Sequence, residues 1–151
     1  MPQVVDLNAV RLYQPDNELR GRLGDDTLPL SNFIKAIQTA ASDYLTANPQ
    51  QDAHGLLIAV GVKPLKKSRI WCEAVAGSIP ADLLRDLELH LGKIEAIEVH
   101  HAPIAFAIEL RLWGKEVDKF PVIPEAWIET AKQARRGLEV PDELFNILWP
   151  D

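Results

Sequence analysis

Two adjacent histidines, His100 and His101, are the residues of this sequence whose types come nearest to a reactive site. Glu98 precedes them by two positions, and a carboxylate can orient an imidazole as a general base. A base also needs a nucleophile or a metal beside it, and in an extended backbone the two imidazoles point to opposite faces. We therefore expect the pair to lie at a strand end, before the turn at Ala102-Pro103, and not to bind a metal.

The only cysteine gives a weak catalytic signal. Cys72 lies among apolar residues in RIWCEAV, and nothing near it in the sequence lowers the pKa of a thiol. The motifs GxSxG, HExxH, paired CxxC and the glycine-rich phosphate loops do not occur. We expect no catalytic residue, no metal and no cofactor. The alternative hypothesis is a small enzyme whose site is assembled in three dimensions from Glu98, His100, His101 and Cys72, with His90 as a further candidate.

Hydrophobic periodicity predicts the elements that position these residues. In chain order they are a helix from Ser31, a hairpin of HGLLIAVGV and SRIWCEAV, a helix in GSIPADLLRDLELHLGKI, a strand in IAFAIELRLW, a helix from about Pro124 and a short last helix in VPDELFNILWPD. This order predicts an α+β fold with a small, mainly antiparallel sheet, a hairpin plus a third long strand, packed against three to four helices. Residues 1–30 are expected to form a partly irregular N-terminal arm, and residues 31–151 a single domain.

Composition and charge exclude several classes of protein. Of the 151 residues, 47% are apolar and 25% are charged, which is typical of a globular domain. The net charge of −6 arises in residues 76–151, which carry 14 acidic and 8 basic residues, whereas residues 1–75 carry 8 of each. The chain lacks the basic stripe of a nucleic-acid binder and any apolar run long enough for a membrane span. The single cysteine and the N-terminal sequence favour the cytoplasm.

The acidic second half and several aromatic residues on half-polar strand faces favour a protein-binding function. The residues expected to contact a partner are Trp71, Glu73, Asp82, Asp86, Leu89, Glu109, Arg111 and Trp113. The sequence thus predicts a non-catalytic module, similar to a chaperone, inhibitor or immunity protein, that presents an acidic surface to a partner of basic character. Whether the aromatic face is open or covered by a second helix layer stays undecided at this point. A further hypothesis, compatible with the first, is a structural subunit of a homo-oligomer, such as a homodimer, joined through the arm and an exposed strand edge.

Overall fold

Four antiparallel strands and four helices form the part of the chain that a computed structural model describes, which comprises residues 5–13, 16–24, 28–48, 52–101, 103–117, 119–121 and 123–133. The strands are β1 (Val5–Leu12), β2 (Gly55–Lys63), β3 (Lys67–Val75) and β4 (Ile104–Leu112). The helices are α1 (Asp16–Leu23), α2 (Leu28–Ala47), α3 (Ala81–Gly92) and α4 (Glu125–Gln133). The strand order is β1-β4-β2-β3, and each neighbouring pair is antiparallel. The predicted α+β class is confirmed.

The hairpin of β2 and β3 forms where the sequence predicts it. The last strand pair before the turn is Lys63 opposite Lys67. Leu65 and Lys66 in the turn have positive φ angles of 73° and 58°, the backbone conformation that matches a short turn to the twist of its two strands. β2 is buried along its whole length, as expected of a central strand with both faces covered.

One face of the sheet packs against α2 and α3 and forms the larger core. The buried side chains of α2 recur at helical spacing and are Leu30, Phe33, Ile37, Ala41 and Leu45. From α3 the core receives Leu87 and Leu91, which belong to the predicted apolar stripe. Burying one such leucine or isoleucine contributes about 1.5–3 kcal/mol. This layer therefore holds β1, β4, β2 and β3 in place.

The opposite face of the sheet is covered by described residues of the segment that follows β4, among them Phe120, Ile123 and Trp127. Trp127 of α4 is fully buried there, with its ring 5.2 Å from that of Trp71 and 5.5 Å from that of Tyr13. Phe120 is buried in a neighbouring cluster with side chains of β2, β3 and β4. The sequence left open whether a second helix layer covers the aromatic face, and in the described residues such a layer is present.

The N-terminal segment 1–30, predicted as a partly irregular arm, contributes a strand and a helix. β1 pairs with β4, and the register shifts between Leu7 and Ala9, which places a bulge at Asn8. α1 follows β1 and buries Leu19. The strand that forms one edge of the sheet therefore comes from a segment in which the sequence shows no sustained periodicity.

The predicted helix near Pro124 is present as α4. The chain beyond Gln133, which includes the predicted last helix in VPDELFNILWPD, lies outside the described residues. No helix in the described ranges combines the length and the apolar character that crossing a membrane requires.

Candidate functional site

The two histidines lie in irregular chain before β4 begins at Ile104. Both are exposed, the φ angle of His101 is 74°, and the ring centroids are 6.3 Å apart. The predicted reason for their separation, neighbouring positions on one strand, is wrong because the pair precedes the strand. Glu98 is also exposed, and the cavity of about 450 Å³ that it lines contains neither His100 nor His101. In the described ranges, no three His, Cys, Asp or Glu side chains lie together as metal ligands would.

Cys72 has a structural position. Its side chain is buried in the core cluster beneath α3, and this burial raises the pKa of the thiol well above its usual value. Only the thiolate is a good nucleophile, so the residue is held in its unreactive form. The Cys72 N–H donates a hydrogen bond to Glu88 Oε2 at 2.7 Å. The described structure does not bring this buried thiol together with the exposed histidines.

Three of the residues predicted to bind a partner form contacts within the chain. Trp71 is buried against α4, as described above. Glu73 accepts hydrogen bonds from the N–H groups of Glu125 and Ala126, at 2.8 and 3.1 Å, and so caps the N-terminus of α4. Glu109 is only 3% exposed, and it pairs with Arg11 at 3.1 Å. Trp71 and Glu109 are therefore buried, and Glu73 is half-buried at the start of α4.

The other predicted binding residues fall into two groups. Arg111 and Trp113 at the end of β4 are half-buried. Asp82, Asp86 and Leu89 are exposed on α3, as expected. Asp86 accepts a hydrogen bond of 2.5 Å from the Tyr44 hydroxyl, and this bond raises the pKa of Tyr44 to about 12.

An apolar groove runs between the edge strand β1 and α2, and sequence reasoning missed it. The cavity there measures about 420 Å³, and its lining residues are Leu7, Val10, Leu12, Leu30, Ser31, Ile34, Lys35 and Gln38. Leu7 is 41% exposed and Leu12 is 47% exposed, and Leu28 at the start of α2 is 60% exposed. Three of the five exposed large apolar residues of the described chain therefore belong to β1 and the N-terminal turn of α2.

The hydrogen-bonding pattern determines which backbone groups of β1 face away from β4. The N–H of Tyr13 donates to the carbonyl of Ala105 at 3.1 Å, and the N–H of Leu112 in β4 donates in the other direction, to His54, at 2.8 Å. The bonds of an antiparallel ladder alternate between the two sides of a strand. On each side of the bulge at Asn8, every second residue of β1 therefore points its amide away from β4. These residues are Val5 and Leu7 before the bulge, and Val10 and Leu12 after it. We call their outward N–H and C=O groups the β1 edge.

The opposite edge of the sheet, on β3, is protected. Glu88 of α3 accepts the outward N–H of Cys72, and the exposed side chains of Lys67 and Arg69 lie along the same strand. Lysine, arginine and a covering helix are the usual means by which proteins prevent a strand edge from pairing with another chain. Within the described residues β1 pairs with β4 alone, and no strand or helix is paired to the β1 edge.

A comparison of this chain with protein-family models, with curated proteins and with solved structures found no match.

Proposed function

We propose that this protein is a non-catalytic protein-binding module that adds an extended segment of a partner protein to β1. The observation that carries the proposal is the coincidence of two features at one place. At the β1 edge, strand hydrogen-bonding groups are paired with no other strand of the described chain, and the β1–α2 groove beside it offers apolar surface. Strand addition uses both, because the main chain supplies affinity and alternate side chains enter pockets.

The geometry of such a complex follows from the sheet. An added strand lies about 4.8 Å from β1, so that alternate side chains lie above the groove beside Ile34 and Lys35. The side chains between them fall on the other face, next to Asp6 and Arg11. An acidic and a basic residue leave this edge close to neutral. The preferred partner segment is therefore one in which apolar and polar residues alternate. The basic partner expected from the net charge stays a prediction, and so does the cytoplasmic location.

Selection of binding peptides tests the proposal. Random decapeptides are displayed on phage, selected on the immobilised full chain, and compared on wild type and on Val10→Pro by fluorescence polarisation. The N–H of Val10 points away from β4, so proline removes a bond to the added strand and none within the sheet. We expect apolar and polar residues to alternate in the selected peptides. These peptides should bind Val10→Pro at least tenfold more weakly than wild type, because the lost hydrogen bond and the clash of the proline ring with the added strand together cost about 1.4 kcal/mol or more.

The matched control is Leu89→Lys on α3, which changes an exposed leucine far from the β1 edge in sequence and on another element. It should leave peptide binding unchanged. Circular dichroism and thermal unfolding establish that Val10→Pro retains the fold. Peptides that bind Val10→Pro as well as they bind wild type, or that lose affinity with Leu89→Lys instead, would contradict the proposal.

A further inference from the structure

We infer that the strand accepted by β1 is β1 of a second copy of this chain, giving a two-fold dimer with one continuous eight-stranded sheet. This inference rests on the proposed function, since it assigns the partner of the same edge. Three features of β1 support it: the register in which its outward groups match, the position of its charges and the position of its bulge.

The outward groups of β1 match those of a second, antiparallel β1 in a self-complementary register. In that register Leu7 lies opposite Val10 of the second copy, and Val5 lies opposite its Leu12. Each of these residues directs its N–H and C=O outward, and each carries its side chain on the α2 face, as the pairing with β4 shows. A two-fold interface requires this reciprocity, in which residue i meets j and j meets i.

The same register places opposite charges together. Asp6 lies opposite Arg11 of the second copy, on the sheet face away from α2, and the two-fold axis repeats the pair. Directly opposite side chains in an antiparallel pair have Cβ atoms about 4.5–5.5 Å apart, within reach of an ion pair. Arg11 already bonds Glu109 through one terminal nitrogen, and 40% of its side chain is exposed. A carboxylate from a second copy can therefore approach the exposed part of this guanidinium group.

The bulge makes a second copy a better partner than a regular strand. Because of the extra residue at Asn8, the outward groups of Leu7 and Val10 are three residues apart in sequence, where a regular strand has a spacing of two. A regular strand can match these groups on only one side of the bulge. A second β1 has the same spacing and meets it with its own bulge at the two-fold axis.

The helix beside the strand enlarges the contact. With the axis perpendicular to the sheet, both copies of α2 lie on the same side. The exposed Leu28 and the half-buried Ile34 and Gln38 of one copy then face the groove of the other. Stable interfaces bury at least about 1,000 Å² in total, more than a single pair of short strands provides. Strand pairing and helix contact together bury the leucines that β1 and α2 leave exposed.

Sedimentation equilibrium of the full chain over a wide concentration range tests the assignment. We expect a monomer–dimer equilibrium for wild type, with Val10→Pro dissociating at a concentration at least tenfold higher. Asp6→Lys brings a lysine opposite each Arg11 and should weaken the dimer about tenfold, because two attractive pairs become repulsive. Asp82→Lys, the same charge reversal on α3, should leave the dimer unchanged.

Amide hydrogen exchange identifies the surface. The amides of Leu7, Val10 and Leu12 should gain protection as the dimer forms, and the selected peptides should compete with dimerisation. A dimer that is insensitive to both Val10→Pro and Asp6→Lys overturns the inference. A wild-type monomer that still binds peptides through Val10 overturns the self-pairing and leaves the proposed function intact, whereas a monomer without such binding overturns both.

Discussion

The ion pair that anchors β1 to β4 gives the sharpest prediction for stability. Glu109 accepts hydrogen bonds from Arg11 at 3.1 Å and from Asn8 Nδ2 at 2.8 Å, and its side chain is only 3% exposed. Asn8 is the bulge residue, so these contacts tie both sides of the bulge to one carboxylate. Replacing Arg11 by methionine keeps most of the apolar stem but leaves a buried charge with a single amide as its hydrogen-bonding partner.

The expected cost follows from the geometry. Two unit charges 3.1 Å apart attract by about 5 kcal/mol at an effective dielectric constant of about 20. Solvent screens part of this attraction because the Arg11 side chain is 40% exposed. Against that, removing one partner leaves the Glu109 charge uncompensated, which is the costly way to break a buried pair. We therefore expect Arg11→Met to reduce the free energy of unfolding by about 2–3 kcal/mol.

Urea unfolding at pH 7, followed by tryptophan fluorescence at one fixed protein concentration, measures this loss. With a slope of about 1–3 kcal/mol per molar urea, the midpoint should fall by about 1 M or more. The double variant Arg11→Met with Glu109→Leu should recover most of the stability, since an apolar pair can replace a buried ion pair at little cost. Arg85→Met, which removes an exposed arginine on α3, should change stability by less than about 0.5 kcal/mol. Strictly additive losses in the double variant would refute this reasoning.

Three further predictions concern the other named contacts. Because burial raises the pKa of the Cys72 thiol, a thiol reagent should modify the native protein far more slowly than the urea-unfolded protein; equal rates would show that the thiol is accessible. Burial raises the pKa of Tyr13 to about 12, and the hydrogen bond to Asp86 raises the pKa of Tyr44 to about 12. Because an unfolded tyrosine loses its proton near pH 10, the folded state should lose stability as pH rises from 10 to 12. Asp86→Ala should shift one of the two phenolate absorbance transitions towards pH 10. Glu73→Ala removes the cap of α4 and should cost about 1 kcal/mol in urea unfolding, whereas Glu73→Gln, which keeps an acceptor, should cost less; an equal cost for both would contradict the capping role.

Elements with one uninterrupted period could be predicted from the sequence. α2 and α3 carry apolar stripes at helical spacing, and β4 alternates strictly from Ile104 to Leu112. The hairpin could be recognised from two β-rich runs joined by a short turn. In each case the local pattern and the burial in the fold agree, and this agreement is what allows a sequence to be interpreted without a structure.

The questions that the sequence left open depended on contacts between distant residues. Trp71 and Glu73 share a strand with polar residues, a pattern that does not decide whether their face is covered. Trp127 and the N-terminus of α4 occupy that face from more than fifty positions away. The strand position of the histidines failed by a few residues, because the alternating pattern begins only at Ile104. No local signal distinguishes a half-polar strand that faces water from one whose charges cap a later helix.

The bulge at Asn8 explains why β1 lies in a segment predicted to be partly irregular, and in the proposed dimer it also restricts which strands the edge can accept. Val5 and Leu7 follow one alternation, while Val10 and Leu12 follow another displaced by one residue, so the segment shows no continuous period of two. A bulge on an edge strand normally discourages pairing with other chains. In the proposed dimer that barrier applies to regular strands but not to a strand with the same bulge, so the irregularity that interrupts the alternation of β1 would also restrict its partners. The β3 edge is protected by Glu88, Lys67 and Arg69, whereas leucines along β1 are exposed. This difference between the two edges supports the proposal that β1 accepts one specific strand.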